Sequence, residues 1–203
     1  MTIQLTALAT QTTHLLYLHG FRSSPMSAKA QKMAALVRQR YPAIGWWCPQ
    51  LPPSPKLAMQ AIRKGIAHWP ASMAVVGSSL GGFYATAIAE EKCCKAALLN
   101  PAVHPARDLQ SHIGKQDAWH DPSENFYFQA EFIDELQALC VGPIKLPQNY
   151  LVVIAKGDEV LDWREMADRY LGANLRLLEG SDHALSDFDQ HLPEIFEFLD
   201  LAA

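Results

Sequence analysis

The chain is short of the features that mark several common protein classes. Its four cysteines, Cys48, Cys93, Cys94 and Cys140, form no C-x-x-C pair and no recurrent spacing. A disulfide framework or a thiolate zinc site has no basis in such a pattern, and four reduced, buried thiols are expected. Positive charge is sparse and scattered: 17 Lys and Arg face 21 Asp and Glu, a formal net charge of -4, and no basic cluster stands out. Nucleic acid is therefore not an expected partner. No apolar run approaches the ~20 residues of a membrane-spanning helix. Met1 to Thr13 also lack a basic stretch followed by an apolar one. Neither a membrane span nor a secretory signal is expected, which leaves a cytoplasmic protein as the default. Internal repeats and low-complexity tracts are missing too.

What the chain does have is periodicity. With 49% apolar residues in 203 it can build one sizeable core, so a single domain over 1–203 is expected. Six β-rich apolar runs recur: His14 to Leu18, Ile44 to Cys48, Met73 to Gly77, Ala96 to Asn100, Tyr150 to Ala155 and Asn174 to Leu178. Several are apolar on successive residues, the pattern of strands covered on both faces. Between them the spacing turns helical, as in Ala30, Met33, Ala34, Val37 and Tyr41, or Ala58, Ala61, Ile62, Ile66 and Trp69. Ser54 before Pro55, and Asp162 before Trp163, Met166, Ala167, Tyr170 and Leu171, read as N-caps. A last helix through Leu192, Ile195, Phe196 and Leu199 is expected to enter at Pro193. Strand and helix in such alternation predict an α/β fold, a mostly parallel sheet of about six strands with helices on both faces. One connection breaks the rhythm. The segment at about 101–149 is too long for an ordinary crossover and predicts an insertion, a polar loop around Gln116 to Asn125 followed by an amphipathic helix.

The strongest chemical signal is Gly77-Ser78-Ser79-Leu80-Gly81, a G-x-S-x-G directly after a buried strand and before the Ala-rich stretch Tyr84 to Glu91. A serine on that turn is held in a strained conformation with its Oγ at the C-terminal edge of the sheet, while the two glycines remove Cβ atoms that would clash there. Only Ser79 has glycine at both the minus-two and plus-two positions, so Ser78 is assigned to local packing. A serine hydroxyl needs a base, and the base needs a carboxylate to orient it. His183, in the loop Glu179-Gly180-Ser181-Asp182-His183 after the last strand, is the expected base, with His191 the weaker candidate. Asp158, at the end of the strand Leu151 to Ala155, is the expected acid. Asp162 is better used as a cap, and Glu159 and Asp182 are expected to be solvated. An oxyanion needs two N–H donors; Leu80 supplies one and Phe21, after His19-Gly20, the other, with His19 bracing that loop. Trp119, Phe126 and Phe128 in the insertion are candidates for an acyl pocket or, equally, for the core. Nothing in the pattern calls for a metal or a cofactor.

Four motifs in order, Tyr17-Leu18-His19-Gly20-Phe21, Gly77-Ser78-Ser79-Leu80-Gly81-Gly82, Gly157-Asp158-Glu159-Val160-Leu161-Asp162 and Gly180-Ser181-Asp182-His183, resemble the small YqiA-type esterases (UPF0227 type) of the α/β-hydrolase superfamily. The resemblance spans nearly the whole chain. It implies a serine esterase that hydrolyses small-molecule acyl esters through an acyl-enzyme without a cofactor, and acyl-CoA thioesters come into the same range. The sequence departs from it in a short extra N-terminus and in the residues around 117–128. A thioesterase or acyltransferase with the same triad, and a catalytically silent binding module on the same fold, are the two rival expectations.

Overall fold

The computed structural model describes residues 11–118 and 125–201. In chain order its elements are β1 (His14–Leu18), α1 (Ala28–Arg40), β2 (Gly45–Trp47), α2 (Pro55–Gly65), β3 (Met73–Ser78), α3 (Leu80–Lys92) and β4 (Lys95–Leu99). There follow α4 (Pro105–Asp108), β5 (Gly114–Asp117), β6 (Asn125–Phe128), α5 (Glu131–Ala138), β7 (Tyr150–Ala155), α6 (Trp163–Arg169), β8 (Asn174–Leu178) and α7 (Phe188–Phe198). Six of the strands form one sheet in the order β2-β1-β3-β4-β7-β8, every pairing in it parallel. The six expected strands are these six, with ends that move by a residue or two.

Alternate side chains of each central strand enter opposite layers, as the period of two requires. Leu15, Tyr17, Ala74, Val76, Ala97, Leu99, Leu151 and Val153 pack under α1 and α7. Leu16, Leu18, Met73, Val75, Ala96, Leu98, Val152 and Ile154 pack under α2, α3, α5 and α6. Both sets are buried, which is why the runs read as continuously apolar. The Ser54 hydroxyl accepts from Leu57 N and caps α2 with Pro55 in its first turn, and the Asp162 carboxylate accepts from Arg164 N and caps α6.

Several expectations are corrected. Residues 101–149 hold more than a loop and a helix, since β5 and β6 pair as an antiparallel hairpin from Gly114↔Phe128 to Asp117↔Asn125. Its inward side chains are the half-buried Phe126 and buried Phe128, and Tyr127 between them is 63% exposed. That alternation is the strand signal the polar composition masks. The last helix starts at Phe188, so Pro193 lies inside it; the ring leaves the carbonyl of Asp189 without its helical donor, and both residues are exposed to water. Leu171 lies beyond the end of α6 and is 78% exposed. On α2 Met59 is buried and Ala61 is exposed. All four thiols are free, but only Cys94 is buried; Cys93 and Cys140 are exposed, and Cys48 is intermediate.

The chain steps from β1 to β2 on one side, then returns to place β3 on the other side of β1. The helix after β1 lies on one face of the sheet and the helix after β3 on the opposite face. Loops leaving the C-terminal ends of β1 and β3 thus diverge and open a crevice, the usual ligand position in sheets of this kind.

Candidate active site

Ser79 sits at that crevice. It joins β3 to α3 with φ 54 and ψ -122, a region non-glycine residues enter at a cost on the order of 1–3 kcal/mol. Between Met73 and Ala89 it is the one residue that is not buried. The packing around it explains its glycines: a methyl group on Gly77 would overlap the carbonyl of Gly81, and one on Gly81 the carbonyl of Leu18. Ser79 N donates to Leu99 O at 2.9 Å, and Ser79 O accepts from Gly82 N at 2.8 Å and Ala102 N at 3.0 Å, so the end of β4 and the first turn of α3 hold the turn. Ser78 is buried and hydrogen-bonded to Tyr17, whose phenol burial pushes far up despite that bond.

His183 and Asp158 arrive from the loops after β8 and β7. His183 Nε2 lies 3.1 Å from Ser79 Oγ, and Nδ1 lies 2.7 Å from Asp158 Oδ2. The Asp158 side chain is fully buried and that of His183 is 21% exposed. Asp158 Oδ1 accepts from the N–H groups of Val160 and Leu161, each at 2.8 Å. The carboxylate thus takes the imidazole hydrogen at Nδ1 and leaves the Nε2 lone pair facing the hydroxyl. Gly157 permits this approach, since a side chain there would strike the carbonyl of Ser181. His191 is placed elsewhere, with Nε2 3.1 Å from Asp187 Oδ2 on its own helix.

The loop after β1 closes the other side. A Cβ on Gly20 would stand 3.2 Å from Ser79 Cβ and 3.6 Å from Ser79 Oγ, so the loop packs directly against the serine and a side chain there would be tight. His19 is 4% exposed; its Nε2 accepts from Leu51 N at 3.2 Å, which leaves the hydrogen on Nδ1, 3.0 Å from Gly20 O. Among the described residues, the main-chain N–H groups of Phe21 and Leu80 donate to no protein acceptor, and Leu80 opens α3, where the helix dipole favours negative charge. The Phe21 ring packs edge-on against Phe126 and Phe128, centroids 5.8 Å and 5.2 Å away. Arg22 Nε donates to Asp117 O at 2.6 Å. The hairpin therefore holds the Phe21 loop. Phe128 is 1% exposed and belongs to the core, Phe126 is half-buried, and Trp119 lies outside the described residues.

Two acidic residues expected to be solvated have local partners. Glu159 Oε2 accepts from His183 N at 3.0 Å. Asp182 accepts from Ser186 N at 2.9 Å and Ser186 Oγ at 2.6 Å, and these bonds hold its carboxyl below the usual range. Lys29 was not marked by any motif; its ammonium donates to Ala184 O, and burial pushes its pKa down against the pull of Asp182 and Asp158. Only tertiary structure joins it to that loop. Among the described residues, no group of three or more His, Cys, Asp or Glu could hold a metal ion, and no helix is long and apolar enough to cross a membrane.

Comparison with known proteins places these features in context. The model of UPF0227, an uncharacterised protein family, matches residues 14–200. A UPF0227 protein of Shewanella oneidensis is 25% identical over 194 residues, 91% of this chain and 98% of its own. Among solved structures, alpha/beta hydrolase domain-containing protein 10 from mouse is similar with a TM-score of 0.69 at 15% identity, over 95% of this chain and 92% of its own. A monoacylglycerol lipase of Paleococcus ferrophilus gives a TM-score of 0.68 at 14% identity, over 95% and 96%. The architecture is that of the α/β-hydrolases.

Proposed function

The chain belongs to the UPF0227 family, and from that premise and the geometry around Ser79 we propose that it is a serine hydrolase cleaving carboxylic esters through an acyl-enzyme. The observation that carries this reading is the line Asp158–His183–Ser79, at 2.7 Å and 3.1 Å. Ser79 Oγ attacks the ester carbonyl as its proton passes to His183 Nε2, and the imidazolium is stabilised by Asp158. The oxyanion that forms is received by the Phe21 and Leu80 N–H groups, which have no acceptor among the described residues. Collapse expels the alcohol, which takes the proton from His183, and leaves the acyl group on Ser79. Water then gives its proton to His183 and attacks the acyl carbon; the acid departs and Ser79 regains its proton. Every proton and electron pair stays within substrate, water and these side chains. A solved chain of the metagenome-derived lipolytic enzymes LipS and LipT, matched with a TM-score of 0.68 at 17% identity over 94% of this chain and 94% of its own, supports esters as the substrate class.

A fluorophosphonate probe tests this directly. Labelling located at Ser79 by peptide mass spectrometry, together with loss of p-nitrophenyl ester turnover by ~10⁴-fold or more in Ser79→Ala, is the expected result. Folded protein that takes no label would replace this reading with that of a binding module, and a Ser79→Ala variant that keeps its turnover would remove Ser79 as the nucleophile. Matched oxygen and thiol esters in the same assay separate esterase from thioesterase.

A further inference from the structure

Asn100 follows β4 and no motif marks it, yet it bonds both to the end of β7, which leads to Asp158, and to the His183 loop, and it adjoins the residues that hold the serine turn. Its side chain is fully buried at 0% exposure and its φ is 41, a conformation asparagine tolerates better than most residues. Oδ1 accepts from Ala155 N at 2.8 Å, at the end of the strand that leads to Asp158. Nδ2 donates to Asp182 O at 3.0 Å and His183 O at 3.2 Å. The residues beside it hold the serine turn: Leu99 O accepts from Ser79 N, and Ala102 N donates to Ser79 O.

We infer that Asn100 is a positioning residue for His183: its amide fixes the main chain on both sides of the imidazole relative to the Asp158 strand, so that Nε2 falls in line with Ser79 Oγ. The inference rests on the proposed role of His183 as base. Only a planar amide can accept on one edge and offer two hydrogens on the other. Aspartate at this site would place an oxygen against two carbonyls, and leucine would leave all three groups unpaired in the interior. Two other ties to the main chain of the loop, Glu159 to His183 N and Lys29 to Ala184 O, are exposed to water, whereas those of Asn100 are part-buried. A displacement of about 1 Å at a reacting centre costs on the order of 10²-fold in rate, and the loop residues 179–187 contain no helix or strand that would resist it.

The test compares Asn100→Ala and Asn100→Asp with Tyr150→Phe, which removes a buried hydroxyl bonded to Glu90 at the opposite end of β7. Four quantities are read: the rate of fluorophosphonate labelling, kcat and KM on a p-nitrophenyl ester, and Tm. Asn100→Ala is expected to lower labelling and kcat together by ~10²-fold with KM within about threefold, while Tyr150→Phe lowers Tm and leaves both rates. Asn100→Asp, isosteric, should lose activity progressively as pH rises. Its protonated carboxyl can still donate to one carbonyl, whereas the carboxylate cannot and sets a charged oxygen against the carbonyls of Asp182 and His183. Labelling and kcat in Asn100→Ala within threefold of wild type, or the same loss in Tyr150→Phe at equal Tm, would overturn the inference. So would failure of both Asn100 variants to fold, which would make it a folding residue. Wild-type protein that takes no label brings down the hydrolase reading itself; labelled wild type with equally labelled variants removes only the role of Asn100.

Discussion

At the scale of single residues, the site is made as much by missing atoms as by present ones. Gly77, Gly81, Gly157 and Gly20 each lie where a Cβ would meet the backbone or side chain of a neighbouring loop, and their absence of bulk lets Ser79, Asp158 and His183 converge. Asp158 and Asp162 lie four positions apart and were the two acids the sequence offered. One carboxylate faces His183 Nδ1 and the other caps α6. Their asparagine variants should therefore part company. Asp158→Asn presents an amide to Nδ1 and favours the wrong imidazole tautomer, so kcat is expected to fall by ~10⁴-fold with the fold intact. Asp162→Asn keeps a competent N-cap, and both its kcat and its Tm should stay near wild type. Steady-state kinetics on the pair, with circular dichroism to confirm folding, decides the assignment, and equal losses would count against it.

At the scale of elements, the hairpin of β5 and β6 is the part of the insertion that bears on chemistry. Its inner face, Phe126 and Phe128, encloses the ring of Phe21, whose N–H is one of the two proposed oxyanion donors. Phe128 also packs on Phe132 of α5, centroids 5.4 Å apart, and Glu135 of the same helix accepts from Ser54 Oγ and Lys56 N at the start of α2. The hairpin is thus braced from the core outward to the site. Phe128→Ala is expected to cost about 3–5 kcal/mol in urea unfolding and to lower kcat more than it raises KM. Tyr127→Ala, on the outer face and 63% exposed, should change stability by no more than about 0.5 kcal/mol and leave kcat alone. Similar effects from the two substitutions would mean that the hairpin does not brace the Phe21 loop.

At the scale of the whole molecule, three carboxylates among the described residues have a lowered pKa and with it an acid response. Ser186 holds Asp182 below its ordinary range, and Arg107 does the same for Glu165. Burial works against the charge of Asp187, but Ser181 and His191 more than offset it, and its pKa is lowered too. In each case the unfolded chain binds the proton more readily, so stability rises with pH through this window. The contribution is whole above the unfolded values near 4 and is lost as pH falls through the folded ones. Tm is therefore expected to hold between about pH 5 and 7 and to drop below about pH 4, with a smaller acid-side drop in Asp182→Asn; a Tm that rises on acidification would contradict it. The sequence alone disclosed the six strands of the central sheet, because burial on both faces writes unbroken apolar runs, and it pointed to Ser79 as the proposed nucleophile, because such a turn demands glycines at fixed offsets. It disclosed Asp158 and His183 as side chains at strand ends, where a loop can return to the sheet edge. The hairpin, the start of α7 ahead of Pro193 and the exposure of Cys93 and Cys140 were not legible, since short arms, one tolerated proline and a thiol's surroundings leave no local period. Nor were the contacts of Asn100, Glu159 and Lys29 with the His183 loop. Backbone chemistry acts between neighbours and leaves its mark in sequence, whereas a hydrogen bond spanning 83 positions, as from Asn100 to His183, exists only once the sheet has brought its strand ends together.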